Sequence, residues 1–207
     1  MKQATQASRA LCDPLGVARP ISLNGLKWLP VAIFAVILAV SLHAQTPKAN
    51  AGQVQAAYLY NFGKFVKWPD VAPANQSGSF IICVLDQDPF GDTLRSTLSG
   101  ETVAGKPVVV RRLTKPQDAS VCHILFISGS QAHELRQILS SIDEAAVLTV
   151  SDMPDFSKRG GMIQFVLEGD RIRFEINLAS AEKSHLIFPS ELLKVAAAVR
   201  RPDGSGD

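Results

Sequence analysis

The sequence is short of the residues on which most catalytic and metal sites depend. Its 207 residues include only three cysteines and four histidines. No two histidines have the spacing of a zinc site, and there is no Cys-x-x-Cys pair. The chain also has no Gly-x-Ser-x-Gly nucleophile elbow, no phosphate-binding loop and no dinucleotide fingerprint. We therefore expect a protein that is not an enzyme and that needs no metal and no cofactor.

Charged side chains are also few, at 19% of the chain, whereas hydrophobic residues make up 46%. That balance allows a buried core and argues against disorder. The formal net charge is +2, but four basic residues and one acidic residue lie in the first 44 positions. The rest of the chain holds 17 basic and 18 acidic residues. Because nucleic-acid binding needs a clustered basic surface, we exclude nucleic acid as a partner.

An uncharged segment near the N-terminus has the pattern of a secretory signal. Lys27 precedes it, Val31–Val40 is an unbroken apolar run, and Ala44 offers a small residue at a cleavage point. As a helix, residues 28–42 would span about 22 Å, less than the roughly 30 Å of a bilayer core. We expect a signal peptide at residues 1–44, export to the periplasm, and a flexible segment at residues 45–51. An uncleaved membrane anchor is the alternative.

The remaining sequence alternates between strand and helix patterns. Strands are predicted at residues 80–85, 106–113, 121–128 and 146–150, with a hairpin of residues 162–167 and 171–178. Helices are predicted at residues 52–67, 89–98, 130–142 and 189–199, the second with Asp88 as its N-cap. Because strands alternate with helices and the hairpin comes late, we expect one α/β domain at residues 52–200. Its mixed β-sheet would be flanked by helices, and residues 201–207 would form a disordered tail.

Two cysteines lie in the predicted domain, whereas Cys12 lies in the predicted leader. Cys83 and Cys122 both fall in predicted buried strands. An even number of cysteines in an oxidising compartment is typical of a disulfide. Strands lie about 4.8 Å apart, so side chains on a shared face can meet. We predict a disulfide between Cys83 and Cys122, with two buried free thiols or a redox pair as the alternatives.

Five aromatic residues lie between Tyr58 and Trp68. Helical spacing predicts one buried stripe, formed by Val54, Ala57, Tyr58, Phe62 and Phe65. Tyr60 lies about 200° from Tyr58 around the helix, and Trp68 stands at its exit beside Pro69. Some of these rings can therefore face outward, where aromatic side chains serve as binding anchors.

Three further patterns are weaker candidates for chemistry. Asp152 and Asp155 could pair as an acid and a base, although a solvated turn is the simpler interpretation. Ser128 to Ser130 could cradle an anion at a helix start, although a cap and a turn explain the pattern equally. His123 follows Cys122 in a strand, so the two side chains should point to opposite faces and share no metal.

A series of short motifs runs through the domain in a fixed order. They are AAYLYNF at 56–62, KFV at 64–66, WP at 68–69, CVL at 83–85, DPF at 88–90, CHILFIS at 122–128, LTVSD at 148–152, GGMI at 160–163 and RIRFEIN at 171–177. In order and spacing they resemble the YfiR family, the YfiR/HmsC-like periplasmic proteins. The resemblance runs from about Val54 to Val199.

The resemblance implies a function that the residues alone do not. It implies a periplasmic, non-enzymatic repressor that binds the periplasmic sensor region of an inner-membrane diguanylate cyclase. Repression lowers cyclic di-GMP and restrains exopolysaccharide and biofilm formation. A peptidoglycan-binding lipoprotein of the outer membrane is implied as a partner that sequesters the repressor, and a homodimer is left open. The family's structural disulfide matches Cys83 and Cys122, whereas a second disulfide of some members has no counterpart here.

Four residues are our candidates for the partner-binding surface. Phe65 and Trp68 are aromatic residues able to face outward, and Arg171 and Arg173 lie on one face of the predicted hairpin. The alternative function is a periplasmic small-molecule sensor whose pocket is lined by the aromatic helix. A periplasmic enzyme of unknown type is the third hypothesis.

Overall fold

The computed structural model of the chain describes residues 50–70, 72–143 and 145–202. The predicted signal peptide lies outside the described residues, as do most of the predicted flexible segment and of the predicted tail. Five α-helices are described: α1 (Ala51–Phe65), α2 (Asp92–Thr97), α3 (Leu135–Ser141), α4 (Leu178–Lys183) and α5 (Ser190–Val195). Three short 3-10 turns lie at Pro73–Gln76, Pro116–Val121 and Gly129–Gln131. The strands are β1 (Phe80–Leu85), β2 (Thr102–Val103), β3 (Lys106–Leu113), β4 (Ile124–Ile127), β5 (Leu148–Ser151), β6 (Ile163–Glu168), β7 (Arg171–Asn177) and β8 (Ala198–Arg200).

The strands form one eight-stranded sheet in the order β2-β3-β1-β4-β5-β6-β7-β8. Neighbours from β3 to β6 are parallel, as are β7 and β8. The β2–β3 and β6–β7 pairs are antiparallel. This mixed sheet with helices confirms the predicted α/β class. The central strands β1, β4 and β5 are buried along their whole length, as their continuous apolar sequences require.

Helix α1 begins at a capping box and packs on one face of the sheet. The side chain of Asn50 accepts from the backbone N of Gln53 at 2.9 Å, and the Gln53 side chain accepts from the Asn50 N at 3.1 Å. Phe62 is fully buried, and its ring centroid lies 5.1 Å from that of Phe174. A Cβ at Gly63 would lie 2.9 Å from the Phe80 ring, so glycine lets the helix approach the sheet closely.

The predicted buried stripe of α1 is wrong in its rotation. Ala57 and Phe65 are exposed, whereas Ala56 and Leu59 are fully buried. A small residue such as Ala56 lets this side of the helix contact the sheet closely, and that contact decides which side of the helix is buried. Tyr58 lies at the flank, where its hydroxyl donates to the carbonyl of Ile172 at 3.3 Å.

The opposite face of the sheet is covered by α3 and by the loop before β6. Leu125 and Ile127 of β4 belong to one buried cluster with Leu135, Ile138 and Phe156. Cys83 and Cys122 also lie in this cluster, fully buried, and form a disulfide with a Cα–Cα distance of 6.0 Å. This is the pair that was predicted from the sequence. The disulfide joins the central strand β1 to the residues that lead into β4.

The end of the domain differs from the sequence prediction. The predicted helix over residues 189–199 is wrong beyond Val195, because residues 198–200 form β8 along β7. The backbone N of Ala197 donates to the carbonyl of Phe174 at 2.7 Å. Pairing with the open edge of β7 satisfies backbone groups and outweighs the helix propensity of this alanine-rich segment. The short strand β2 and helix α4 were not predicted.

Three other boundaries were placed too early. Helix α2 begins at Asp92, and Asp88 instead accepts from the Phe90 N at 2.8 Å and pairs with Arg112. The predicted strand at residues 121–128 begins only at Ile124, after a 3-10 turn. The predicted helix at residues 130–142 likewise begins only at Leu135. In each case a turn precedes the regular element, and hydrophobicity does not distinguish the two.

Among the helices of the described ranges, none combines the length and the apolar sequence that crossing a bilayer requires.

Candidate functional site

The end of α1 carries the first two candidate residues for partner binding. The helix ends at Phe65 because the backbone becomes extended at Val66, two residues before the Trp68-Pro69 pair. Phe65 is 46% exposed. Trp68 is half-buried, with its indole Nε1–H donating to the His123 carbonyl at 3.2 Å. Phe65 is therefore available for contact, whereas the Trp68 ring is fixed in place.

An exposed isoleucine lies at the same end of α1. Ile187 is 62% exposed. Its backbone forms a bridge with Lys67, with N–H···O distances of 3.0 and 3.1 Å. We call Phe65, Lys67 and Ile187 the α1-end surface. Sequence reasoning missed Ile187, because only the fold pairs a residue after α4 with one that follows α1.

The two arginines lie elsewhere. On β7, Ile172 and Phe174 pack in the core beneath α1, so Arg171 and Arg173 project from the opposite face of the strand. Arg173 lies 3.4 Å from the Glu168 carboxylate and donates to the Val195 carbonyl at 3.5 Å. The structure thus keeps the arginines on one face, as the hairpin pattern predicts. It does not bring them together with Phe65 and Trp68 in one cluster.

A cavity of about 430 Å³ opens beside Trp68, between the end of α1 and strands β2 and β3. Its walls include three lysines, two aromatic rings and one histidine: Lys64, Lys67, Lys106, Trp68, Phe80 and His123. A volume of this order suits a small molecule. The three lysines favour a positive potential in the cavity, and the Lys64 ammonium lies over the neighbouring Tyr60 ring, 5.2 Å from its centroid.

His123 is the buried polar group of this cavity. The side chain is 1% exposed and stacks on Phe80 with a centroid distance of 4.2 Å. Its Nδ1 accepts from the backbone N of Ile81 at 3.0 Å, so the proton of the neutral ring lies on Nε2. Burial, with the nearby charge of Lys106 adding to it, lowers the pKa of His123 to about 4. The ring is therefore neutral at pH 7, and its Nε2 has no hydrogen-bond partner among the described residues.

The weaker sequence candidates have structural roles. Asp155 lies 2.6 Å from the Lys158 ammonium, which lowers the pKa of that carboxyl group, and both side chains are exposed. The Ser128 hydroxyl accepts from the backbone N of Ser130 at 3.4 Å, which makes it a local cap. Within the part of the chain that the structure describes, no cluster of three or more His, Cys, Asp or Glu residues could hold a metal ion.

Comparison with known protein families gives one match that covers most of the chain. A family model described as YfiR/HmsC-like matches residues 52–197. The matched range begins in the first turn of α1 and ends just before β8. It therefore includes the disulfide, the α1-end surface, the cavity beside Trp68 and the β6–β7 hairpin.

Proposed function

Since the chain belongs to the YfiR/HmsC-like family, we propose that it acts in the periplasm as a non-enzymatic repressor of an inner-membrane diguanylate cyclase. Proteins of this family are periplasmic regulators of such cyclases, and the match over residues 52–197 is the observation that carries the proposal. Binding to the periplasmic sensor region would lower cyclic di-GMP in the cytoplasm and restrain biofilm and exopolysaccharide production. An outer-membrane lipoprotein that binds peptidoglycan is the proposed competing partner.

The α1-end surface is the part of the molecule that best fits partner binding. Phe65 and Ile187 are two of the five large exposed hydrophobic residues of the described chain. Both lie at the end of α1, linked through the backbone of Lys67. Interfaces depend on a few apolar anchors beside polar groups, and an exposed phenylalanine with a neighbouring lysine provides both. Arg171 and Arg173 would form a second, separate contact.

Co-purification with a diguanylate cyclase of the inner membrane tests the proposal. The tagged chain should retain the membrane cyclase after detergent extraction, and deletion of the gene should raise cellular cyclic di-GMP. Phe65→Ala and Ile187→Ala should each weaken the complex about tenfold or more, as expected for truncated anchors. Absence of a complex, together with unchanged cyclic di-GMP in the deletion strain, would refute the proposal.

Val121→Ala is the matched control for these variants. Val121 is a large hydrophobic residue with a similar exposure of 41%, but it lies in the 3-10 turn before Cys122. The Val121→Ala variant should bind the cyclase with the same affinity as the unmodified chain. If Val121→Ala and Phe65→Ala weaken binding equally, the α1-end surface is not the contact.

A small-molecule sensor is the second candidate function. The cavity beside Trp68 favours it, because it contains a buried donor that the described residues leave without an acceptor. A sensor would not exclude repression, since a ligand could control the release of the partner.

A further inference from the structure

The Nε2–H of His123 has no acceptor among the described residues, and this indicates a specific ligand site. Buried polar groups almost always have hydrogen-bond partners, and one without a partner costs about 1–3 kcal/mol. Nδ1 is occupied by the Ile81 N–H, so the unpaired atom is a fixed N–H donor at Nε2. The group that completes this site must therefore bring an acceptor.

The surroundings of His123 select the charge of that acceptor. Lys64, Lys67 and Lys106 line the same cavity, and none of the described residues brings a carboxylate to its lining. Lys106 already donates to the Asn75 carbonyl at 2.8 Å, which fixes its ammonium in the wall. An anionic oxygen would gain from all three charges, whereas a cation would be repelled.

The walls also select the body of the ligand. Trp68 stands edge-on to both Phe80 and His123, with centroid distances of 5.4 and 5.7 Å. Val66 and Val103 add apolar surface at the same cavity. The volume of about 430 Å³ exceeds that of an inorganic ion and suits a molecule with an apolar part.

We propose that the cavity beside Trp68 binds a small organic anion, whose carboxylate or phosphate oxygen accepts from the His123 Nε2–H. The lysines balance its charge, and the apolar walls hold its body. This assignment gives the sensor alternative a site and a ligand class. It does not depend on repression of a cyclase, because it concerns the isolated chain.

Titration of the isolated protein with phenylacetate and with phenyl phosphate tests the site, and the two probes distinguish a carboxylate from a phosphate. Binding of either should move the ring ¹H and ¹⁵N resonances of His123 Nε2 in labelled protein. Phenylacetamide, the neutral analogue, should bind at least tenfold more weakly than phenylacetate. Equal affinity of the acid and the amide, or no movement of the Nε2 resonance by either anion, would overturn the proposal.

Two variants separate the site from the stability of the fold. His123→Asn keeps an acceptor oxygen near the position of Nδ1 for the Ile81 N–H but removes the Nε2 donor, and it should lose at least tenfold in anion affinity. Lys67→Gln changes an exposed side chain and should weaken anion binding several-fold, more at low salt than at high salt. Lys194→Gln, on exposed α5, should leave the affinity unchanged. Unchanged affinity in both His123→Asn and Lys67→Gln, or a lone water as the only Nε2 partner in the presence of saturating anion, would contradict the proposal.

Discussion

Removal of the disulfide is the perturbation whose effect the structure defines best. Cys83 lies in the central strand β1, and Cys122 lies two residues before β4, which is the neighbour of β1. Both side chains are fully buried in the cluster beneath α3. The double variant Cys83→Ala, Cys122→Ala keeps both positions apolar and small. Its main effect is therefore the loss of the covalent link.

The size of the effect follows from the loop that the bond closes. The two cysteines are 39 residues apart in sequence. In the chain-entropy model, a loop of this length restricts the unfolded chain by about 4 kcal/mol at 25 °C. The small cavities left by the alanines add to this loss. We expect the free energy of unfolding to fall by about 4 kcal/mol, which for a chain of this size lowers Tm by about 10 °C.

Urea unfolding of the oxidised wild type and of the double variant measures this difference. The variant should also show a larger m value, because an unfolded chain without the link exposes more surface. Reducing agent should destabilise the wild type to nearly the level of the variant, and it should not affect the variant. Equal unfolding curves with and without reductant, or two thiols that react with iodoacetamide in unfolded, unreduced protein, would refute the reasoning.

Three further predictions concern single side chains. Gly161→Ala should destabilise the fold by about 3 kcal/mol, because its Cβ would lie 2.1 Å from the buried Phe156 ring. Gly78→Ala is the control: its Cβ would lie in open space, so the free energy of unfolding should change by less than about 0.5 kcal/mol. Phe62→Ala should lose about 4 kcal/mol in urea unfolding, because it removes a fully buried ring. The His123 pKa of about 4, against 6.5 in an unfolded chain, means that only the unfolded state gains the proton between these values. The stability that the neutral His123 ring contributes is therefore complete above pH 6.5 and is lost as the pH falls towards 4. The free energy of unfolding should fall by about 2 kcal/mol over this range, and His123→Asn should lack this pH dependence.

The central strands and the hairpin could be predicted from sequence because their signals are local. Residues 80–85 form a continuous apolar run, and the structure has β1 at Phe80–Leu85. The pair of strands around Gly169 is also recovered, as Ile163–Glu168 and Arg171–Asn177. Strand β8 could not be predicted, because residues 198–200 become a strand only by pairing with β7. Its local sequence continues a helical pattern, and tertiary contacts override that pattern.

The loop before β6 contains Asp152 and Asp155, for which the sequence favours a solvated turn, but this loop also has a structural role. Phe156 is fully buried and Met153 nearly so, and both fill the core beneath α3. The left-handed residue Asp155, with φ 57°, turns the chain so that Phe156 can point inward. Gly161 leaves the space that the ring occupies. A single aromatic residue in a polar segment is a weak signal, because its burial depends on distant residues.

The candidate site was predictable only in part. The prediction that Cys122 and His123 point to opposite faces rests on strand alternation, and in the structure the two side chains lie in different surroundings. Ile187 and the cavity had no sequence signal, because each is formed by segments that are far apart in the chain. The cavity brings the end of α1 together with β2, β3 and the start of β4.

The disulfide and the cavity are connected through two consecutive residues. Cys122 is held by its bond to Cys83 on one face of the sheet, and His123 lines the cavity on the other. The backbone of His123 donates to Ile81 at 2.8 Å, and its carbonyl accepts from Leu148 and from Trp68. The bond therefore anchors the backbone that aims the His123 ring, since a shift of Cys122 would move both the Nε2 donor and the acceptor of the Trp68 indole. A structural disulfide in this position stabilises the fold and at the same time keeps the proposed anion site in one geometry.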